Sequence, residues 1–135
     1  MDIATRNKAL RIGVRLLDCD HRELSETIDE IQSAAVSDVD RRRTDQLLRK
    51  LANLTSNHFA LEEGMMAATG YPGMTLHLLN HQLMWDQLKS LAFHGKRDNS
   101  PLYPESLSFL SELHVTHVRN DDLKFGYWLN EIAEI

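Results

Sequence analysis

A single cysteine, Cys19, stands in a chain of 135 residues, so no internal disulfide can form and a reducing compartment is the expected setting. Basic sequence is scarce. Apart from Arg41-Arg42-Arg43 there is no cationic tract, and the net charge is −5, which argues against a nucleic-acid partner. The first residues, Met1-Asp2-Ile3-Ala4-Thr5-Arg6, lack an apolar signal region, and no later apolar run is long enough to cross a membrane; a cytoplasmic protein is expected. No segment alternates β-branched with polar residues in the manner of a strand. Only three prolines occur, and 42% hydrophobic with 26% charged residues is the composition of a soluble globular chain. Its length fits one domain, spanning 1–135, with enough interior to bury its apolar surface without staples.

What the chain has in abundance is histidine, with seven. His77 and His81 lie four residues apart in the apolar segment His77-Leu78-Leu79-Asn80-His81, a spacing that stacks both rings on one helix face. His58-Phe59-Ala60-Leu61-Glu62 repeats the spacing with a carboxylate in second place. Along the chain, residues 1–17 show no sustained period and read as an arm broken at Gly13. Helical rhythm then sets in over 18–36, with His21, Leu24, Ile28, Ile31 and Ala35 on one face and Asp18 or Asp20 placed to cap the start. A polar connection spans 36–43. A second helix, 43–68, aligns Leu47, Leu51, Leu54, His58, Leu61 or Glu62, and Met65, and stops at Thr69-Gly70-Tyr71-Pro72-Gly73. A third, 74–94, carries His77, His81, Met84, Leu88 and Leu91, with Gly95 closing it and a loop over 96–101. A fourth, 102–120, aligns Leu107, Leu110, His114 and His117, and a short helical piece over 122–133 packs on the bundle. The expected fold is an all-α, up-down-up-down four-helix bundle with an N-terminal arm and a short C-terminal helical segment.

The histidines fall on the apolar faces of these helices. His21, His58, His77, His81 and His117, with Glu62 and the Asp121-Asp122 pair, all aim at the bundle interior. One buried neutral imidazole is readily tolerated, but carboxylates cost several kcal/mol each to desolvate without strong compensation, and a bound cation is the natural source of it. Five imidazoles and two carboxylates exceed the needs of one tetrahedral zinc, and calcium or magnesium does not recruit imidazole. Imidazole suits iron, copper, nickel and zinc, and the carboxylates argue for an octahedral pair of oxygen-tolerant ions. Two carboxylates can each bridge the pair. Five histidines then divide three and two, which leaves one position open for a small ligand in an apolar surrounding.

These residues resemble the hemerythrin family: a histidine on the first helix (His21), His-x3-Glu on the second (His58, Glu62), His-x3-His on the third (His77, His81) and His-x4-Asp on the fourth (His117, Asp122). Ile12-Gly13-Val14, Asp18-Cys19-Asp20-His21, Glu62-Glu63 and the Gly70-Tyr71-Pro72 turn extend the similarity over about residues 12–128. The resemblance implies a non-haem, oxo- or hydroxo-bridged di-iron centre that binds O2. His77, His81 and His117 hold one filled iron, His21 and His58 hold the open one, and Glu62 and Asp122 bridge. It also implies a role in oxygen carriage, storage or sensing, with nitric oxide, peroxide and azide-like anions as further small ligands. A shell dominated by neutral imidazoles favours reversible binding over substrate oxidation. The alternative is a di-iron enzyme of peroxidase, oxidase or nitric-oxide-reducing type on the same centre, and a lesser one is iron or zinc handling.

Two points turn on helix geometry. His117 and Asp122 are five residues apart, about 140° around an ideal helix; Asp122 reaches the site only if the helix widens there, for instance through a π-type bulge, whereas Asp121 is the better placed on a straight helix. The family has Trp-Leu four and three residues before the fourth-helix ligand, and this chain has Leu113 and His114. Three placements are open to His114: turned aside onto a neighbour, in the pocket as a donor to bound oxygen, or on the open iron as a sixth histidine. Elsewhere Met65, Met66, Met74 and Met84 are expected in the core, Trp85 and Trp128 in packing, Cys19 at a buried or boundary position, and His94 in a helix-terminal turn.

Overall fold

The computed structural model describes residues 2–37, 41–98 and 104–133. It is an all-α bundle with no strand among those residues: α1 (Ile3–Ala9), α2 (Arg15–Ser37), α3 (Arg42–Thr69), α4 (Met74–Asp98), α5 (Pro104–His117), a π-helical turn (Val118–Asp122) and α6 (Leu123–Ala133). Helix α2 packs on α3 and α5, and α4 packs on the same two, the closed ring of an antiparallel four-helix bundle.

The bundle is layered along its axis, and the layers show the alternating direction of the helices. At one end Leu24, Ile28, Ile31, Leu47, Leu48, Leu51, Leu88, Leu107 and Leu110 form one buried cluster. At the other Leu10, Ile12, Leu17, Met66, Val118 and Phe125 form a second. Helix α2 runs from the second cluster through His21 to the first, α3 returns through His58 and Glu62, α4 goes back through His77 and His81, and α5 returns through His114 and His117. The polar layer is thus sealed above and below by apolar side chains, with each of its residues no more than 5% exposed.

Three departures from the sequence reading have local causes. Residues 1–17 are more ordered than an arm. The Asp2 carboxylate accepts the Thr5 N–H at 2.7 Å and so caps α1, whose last turn holds Arg6 and Lys8, cations that suit a helix C-terminus. Helix α2 consequently begins at Arg15, and neither Asp18 nor Asp20 caps it; the Asp18 carboxylate accepts the Ile12 N–H at 2.7 Å. Gly95 does not close α4, which continues to Asp98. Glycine permits a left-handed cap without imposing one, and no proline follows before Pro101. At Gly70, by contrast, φ is +67°, its N–H returns to the Ala67 carbonyl and the Tyr71 N–H to the Met66 carbonyl, a left-handed helix stop. Of the expected connection over 36–43, residues 38–40 lie outside the described residues, and 36–37 and 42–43 are helical. Of the expected loop over 96–101, residues 99–101 lie outside them and 96–98 are helical, and the His94 side chain also lies outside. Finally, Cys19 is exposed, because it sits on the outer side of α2, off the face shared by Leu17 and His21. Met66 and Met84 are buried, Met65 and Met74 pack on the lower core, and Trp85 and Trp128 pack against the two clusters.

Candidate metal centre

The π-helical turn decides the second carboxylate. The Leu123 N–H bonds the Val118 carbonyl five residues back, so one extra residue is wound into that turn. The fifth residue after His117 thereby comes to the face that the fourth would occupy in an α-helix. Asp122 is fully buried with Oδ1 3.1 Å from His117 Nε2. Asp121 instead accepts from His117 Nδ1 at 2.8 Å and from the Asn80 amide at 2.9 Å.

Two overlapping groups of ligand-type atoms result among the described residues: Glu62, His77, His81, His117 and Asp122, and His21, His58, Glu62 and Asp122, with the atoms of each group all within 4.8 Å of one another. The carboxylates belong to both, one oxygen to each side. Glu62 Oε1 faces His77 and, at 3.1 Å, His81 Nε2, while Oε2 lies 3.3 Å from His58 Nε2. Asp122 Oδ1 lies 2.8 Å from His77 Nε2, while Oδ2 lies 2.8 Å from His21 Nε2.

Each outer imidazole nitrogen but one has a fixed acceptor. His58 Nδ1 meets Asp20 Oδ2 at 3.0 Å, His81 Nδ1 meets Glu63 Oε2 at 2.8 Å, and His21 Nδ1 meets the Leu10 carbonyl at 3.2 Å. Carbonyl and carboxylate oxygens only accept, so these Nδ1 atoms carry hydrogen and the neutral rings present lone pairs at Nε2. Phe59 stacks on His81, with ring centres 3.8 Å apart and planes 8° from parallel. Inside the ring of ligands, Nε2 of His21, His58, His77 and His117, Oε2 of Glu62 and both Asp122 oxygens are buried without a hydrogen-bond partner. Lone pairs converging in a sealed layer are satisfied by cations, and the donor set fits a pair of them.

The electrostatics show the same convergence through protons. Burial pushes Glu62 up, but the facing imidazoles of His58, His77 and His81 outweigh it and hold the carboxyl at about 2. Asp122 is likewise held well below the usual carboxylate range by His117, His21 and His77 against the burial that raises it. Burial opposes charge on His77 and His117, yet the carboxylates Asp122 and Glu62 raise the first to about 9, and Asp121 and Asp122 raise the second to about 10. His58 moves up in the same way through Glu62.

A cavity of about 30 Å³ adjoins the cluster, with His21, His58, His117 and Asp122 in its wall and Leu24, Ile28, Leu51 and Leu110 beyond. A water-sized probe needs about 10–15 Å³, so the space suits a ligand of two or three atoms. His114 is also in this wall, but its Nε2 lies 3.1 Å from the main-chain carbonyl of His21. That contact requires an N–H donor, which leaves the lone pair on Nδ1. Burial first, then the neighbouring His21, lowers His114 to about 3, so the ring is neutral. Sequence reasoning left open where His114 goes, and it did not assign Asp20, Glu63, Asn80 or the Leu10 carbonyl their parts. A usable signal existed for two of these contacts: Asp20 and Glu63 each adjoin a ligand-type residue in the sequence.

A helical bundle that aims imidazoles from four helices and two shared carboxylates at paired positions defines a protein that holds two cations. The hemerythrin HHE cation binding domain matches residues 12–129, and the chain belongs to the hemerythrin family, whose cofactor is a pair of non-haem iron ions. Bacteriohemerythrin of Stenotrophomonas maltophilia (strain R551-3) is 29% identical over 119 residues, which cover 87% of this chain and 75% of that protein. Myohemerythrin of Riftia pachyptila is 27% identical over 117 residues, 87% of this chain and 86% of that protein. Myohemerythrin of Sipunculus nudus is 24% identical over 119 residues, 88% of this chain and 88% of that protein. No solved structure matches the chain significantly. None of the described helices is long and apolar enough to cross a membrane.

Proposed function

We propose that His77, His81 and His117 serve one iron, His21 and His58 the other, with Glu62 and Asp122 bridging, and that the protein takes up O2 reversibly as a cytoplasmic carrier, store or sensor. The observation that carries this reading is the asymmetry of the cluster: both imidazoles of the smaller group line the cavity, against His117 alone of the larger one. Such an iron pair, when bound, supplies two redox-active cations with one exchangeable position for a small ligand.

The chain's own residues do the rest. Asp20, Glu63 and Asp121 hold the outer imidazole protons, which turns the Nε2 lone pairs inward and raises their basicity. Glu62 and Asp122, ionised at neutral pH, supply two negative charges against five neutral imidazoles. The leucines and Ile28 keep the cavity dry, and its volume restricts occupants to the size of O2, nitric oxide or an azide-like anion. The alternative, a peroxide-reducing or oxidase enzyme, needs a proton donor beside the ligand. His114 is the candidate for it, and its N–H is committed to the His21 carbonyl, which favours the binding protein.

The test is an absorption spectrum of anaerobically iron(II)-loaded protein, exposed to air and then evacuated. A visible band that appears with O2, disappears under vacuum and returns supports reversible binding. Immediate, irreversible conversion to a diferric spectrum overturns it in favour of the enzyme.

A further inference from the structure

The outer acceptor of His21 differs in kind from those of its partners. His58, His81 and His117 lean on carboxylate side chains held on the four-helix frame, whereas His21 Nδ1 donates to a main-chain carbonyl, that of Leu10, 3.2 Å away. Leu10 belongs to the segment that precedes the bundle. Its own N–H closes α1 on the Arg6 carbonyl, and Arg6 is clamped to Asp29 of α2 by two hydrogen bonds of 2.8 and 2.6 Å. On the other flank, the Ile12 N–H is taken by Asp18 at 2.7 Å. Helix α6 presses on the same turn: a Cβ at buried Gly126 would stand 2.7 Å from the Ile12 carbonyl oxygen, which is main chain and cannot swing away. The turn carrying the Leu10 carbonyl is therefore fixed from three sides, by α1, α2 and α6.

We propose that the N-terminal segment, residues 2–13, is a positioning element for His21 that selectively sets how tightly the cavity-side metal position is held. A carbonyl in place fixes the ring and its tautomer, and losing such an acceptor lowers metal affinity by about 10- to 100-fold. Among the described residues the outer acceptor of His21 lies on this segment, whereas those of His58, His81 and His117 are Asp20, Glu63 and Asp121. The coupling is reciprocal, so a metal on the cavity side also steadies the segment. The inference rests on the reading of His21 as a ligand.

The experiment uses the full chain loaded with cobalt(II) and titrated with a chelator, so that the two ions leave in two steps. Gly126→Ala displaces the Ile12 turn, and it is expected to shift one step by tenfold or more while the other stays within about twofold. Glu63→Ala, which removes the acceptor of His81, shifts the opposite step. Asp29→Asn, which only loosens the clamp on α1, moves the same step as Gly126→Ala by a smaller factor and keeps the test decisive should Gly126→Ala not fold. Hydrogen exchange gives an independent readout: the Leu10 and Ile12 amides exchange faster in metal-free than in loaded protein, and the variants abolish that difference. Two wild-type steps that the variants leave unmoved, or move together, overturn the proposal alone. A wild type that retains fewer than two ions overturns the reading of the site and the proposal with it.

Discussion

The two halves of the centre share Glu62 and Asp122 and differ in what surrounds them. On one side three imidazoles converge, two of them backed by carboxylates, and Phe59 lies flat on His81. On the other side there are two imidazoles, one backed by Asp20 and the other by a main-chain carbonyl, and the third direction opens on an apolar cavity. The first half gathers five ligand-type residues and the second four. The difference teaches that the bridging carboxylates belong to both halves, whereas each histidine belongs to one. Substitutions can therefore separate common from private contributions.

The largest effect is expected at the shared carboxylates. Glu62→Ala removes one oxygen from each half and leaves His58, His77 and His81 without their common partner; iron content measured after desalting should fall from two ions to near none. A private ligand should do half as much. His81→Ala and His58→Ala are each expected to leave one ion per chain, and only His58→Ala removes the O2-dependent absorption change, because it strikes the half that faces the cavity. Equal loss of both ions from either variant would erase the distinction between the halves.

Protons give a finer measure of the same contrast. His77 and His117 are raised to about 9 and about 10 and both belong to the three-histidine side, so at pH 7 each carries a proton that a metal must displace. Loading at pH 7 should release close to two protons from that half, a number that falls toward none above pH 10, as followed by pH-stat titration. In metal-free protein the same shifts stabilise the fold. Raised histidines contribute fully below their unfolded value near 6.5, and that contribution is lost as pH climbs to about 10. The depressed Glu62 contributes above its unfolded value and loses that contribution as pH falls toward about 2. The melting temperature of the metal-free chain should therefore peak between these windows and decline on the alkaline side, and a melting temperature that is flat from pH 7 to 10 would contradict the pairing.

Much of this arrangement was legible in the residues. Spacings of four at His58/Glu62 and His77/His81 translate directly into shared helix faces, and the apolar rhythm around them placed four helices within a few residues of their observed bounds. The π-turn was legible only as a condition: the five-residue step from His117 to Asp122 required extra winding, and nothing in Val118-Arg119-Asn120 announces it. Helix α1 escaped because seven residues give too few repeats for a period to register, and its stability comes from the Asp2 cap and from burial of the following Leu10 and Ile12. The supporting contacts escaped for a different reason. Asp20 serves a histidine 38 residues away and Glu63 one 18 residues away, pairings set by helix packing that spacing within one helix cannot express.

The smallest effect is expected at the residue that separates this chain from the pattern of its family. Were His114 a donor to the occupant of the cavity, replacing it with leucine would remove a route of proton delivery and prolong the O2-dependent band severalfold. Its N–H is instead spent on the His21 carbonyl, and the ring, lowered to about 3 by burial and by His21, has no second proton to give near neutral pH. His114→Leu should therefore leave the decay of the band within about twofold of wild type. The loss appears in the tie between α5 and α2, where one buried neutral hydrogen bond contributes about 1 kcal/mol, partly offset because leucine suits the apolar wall and the His21 carbonyl keeps its place in α2. A chemical melt of the metal-free variant measures that term, and a stopped-flow trace of the loaded variant measures the other. A markedly longer-lived band with unchanged stability would mean that the imidazole turns toward the cavity when the centre is filled, making the cavity-side half the polar one of the two.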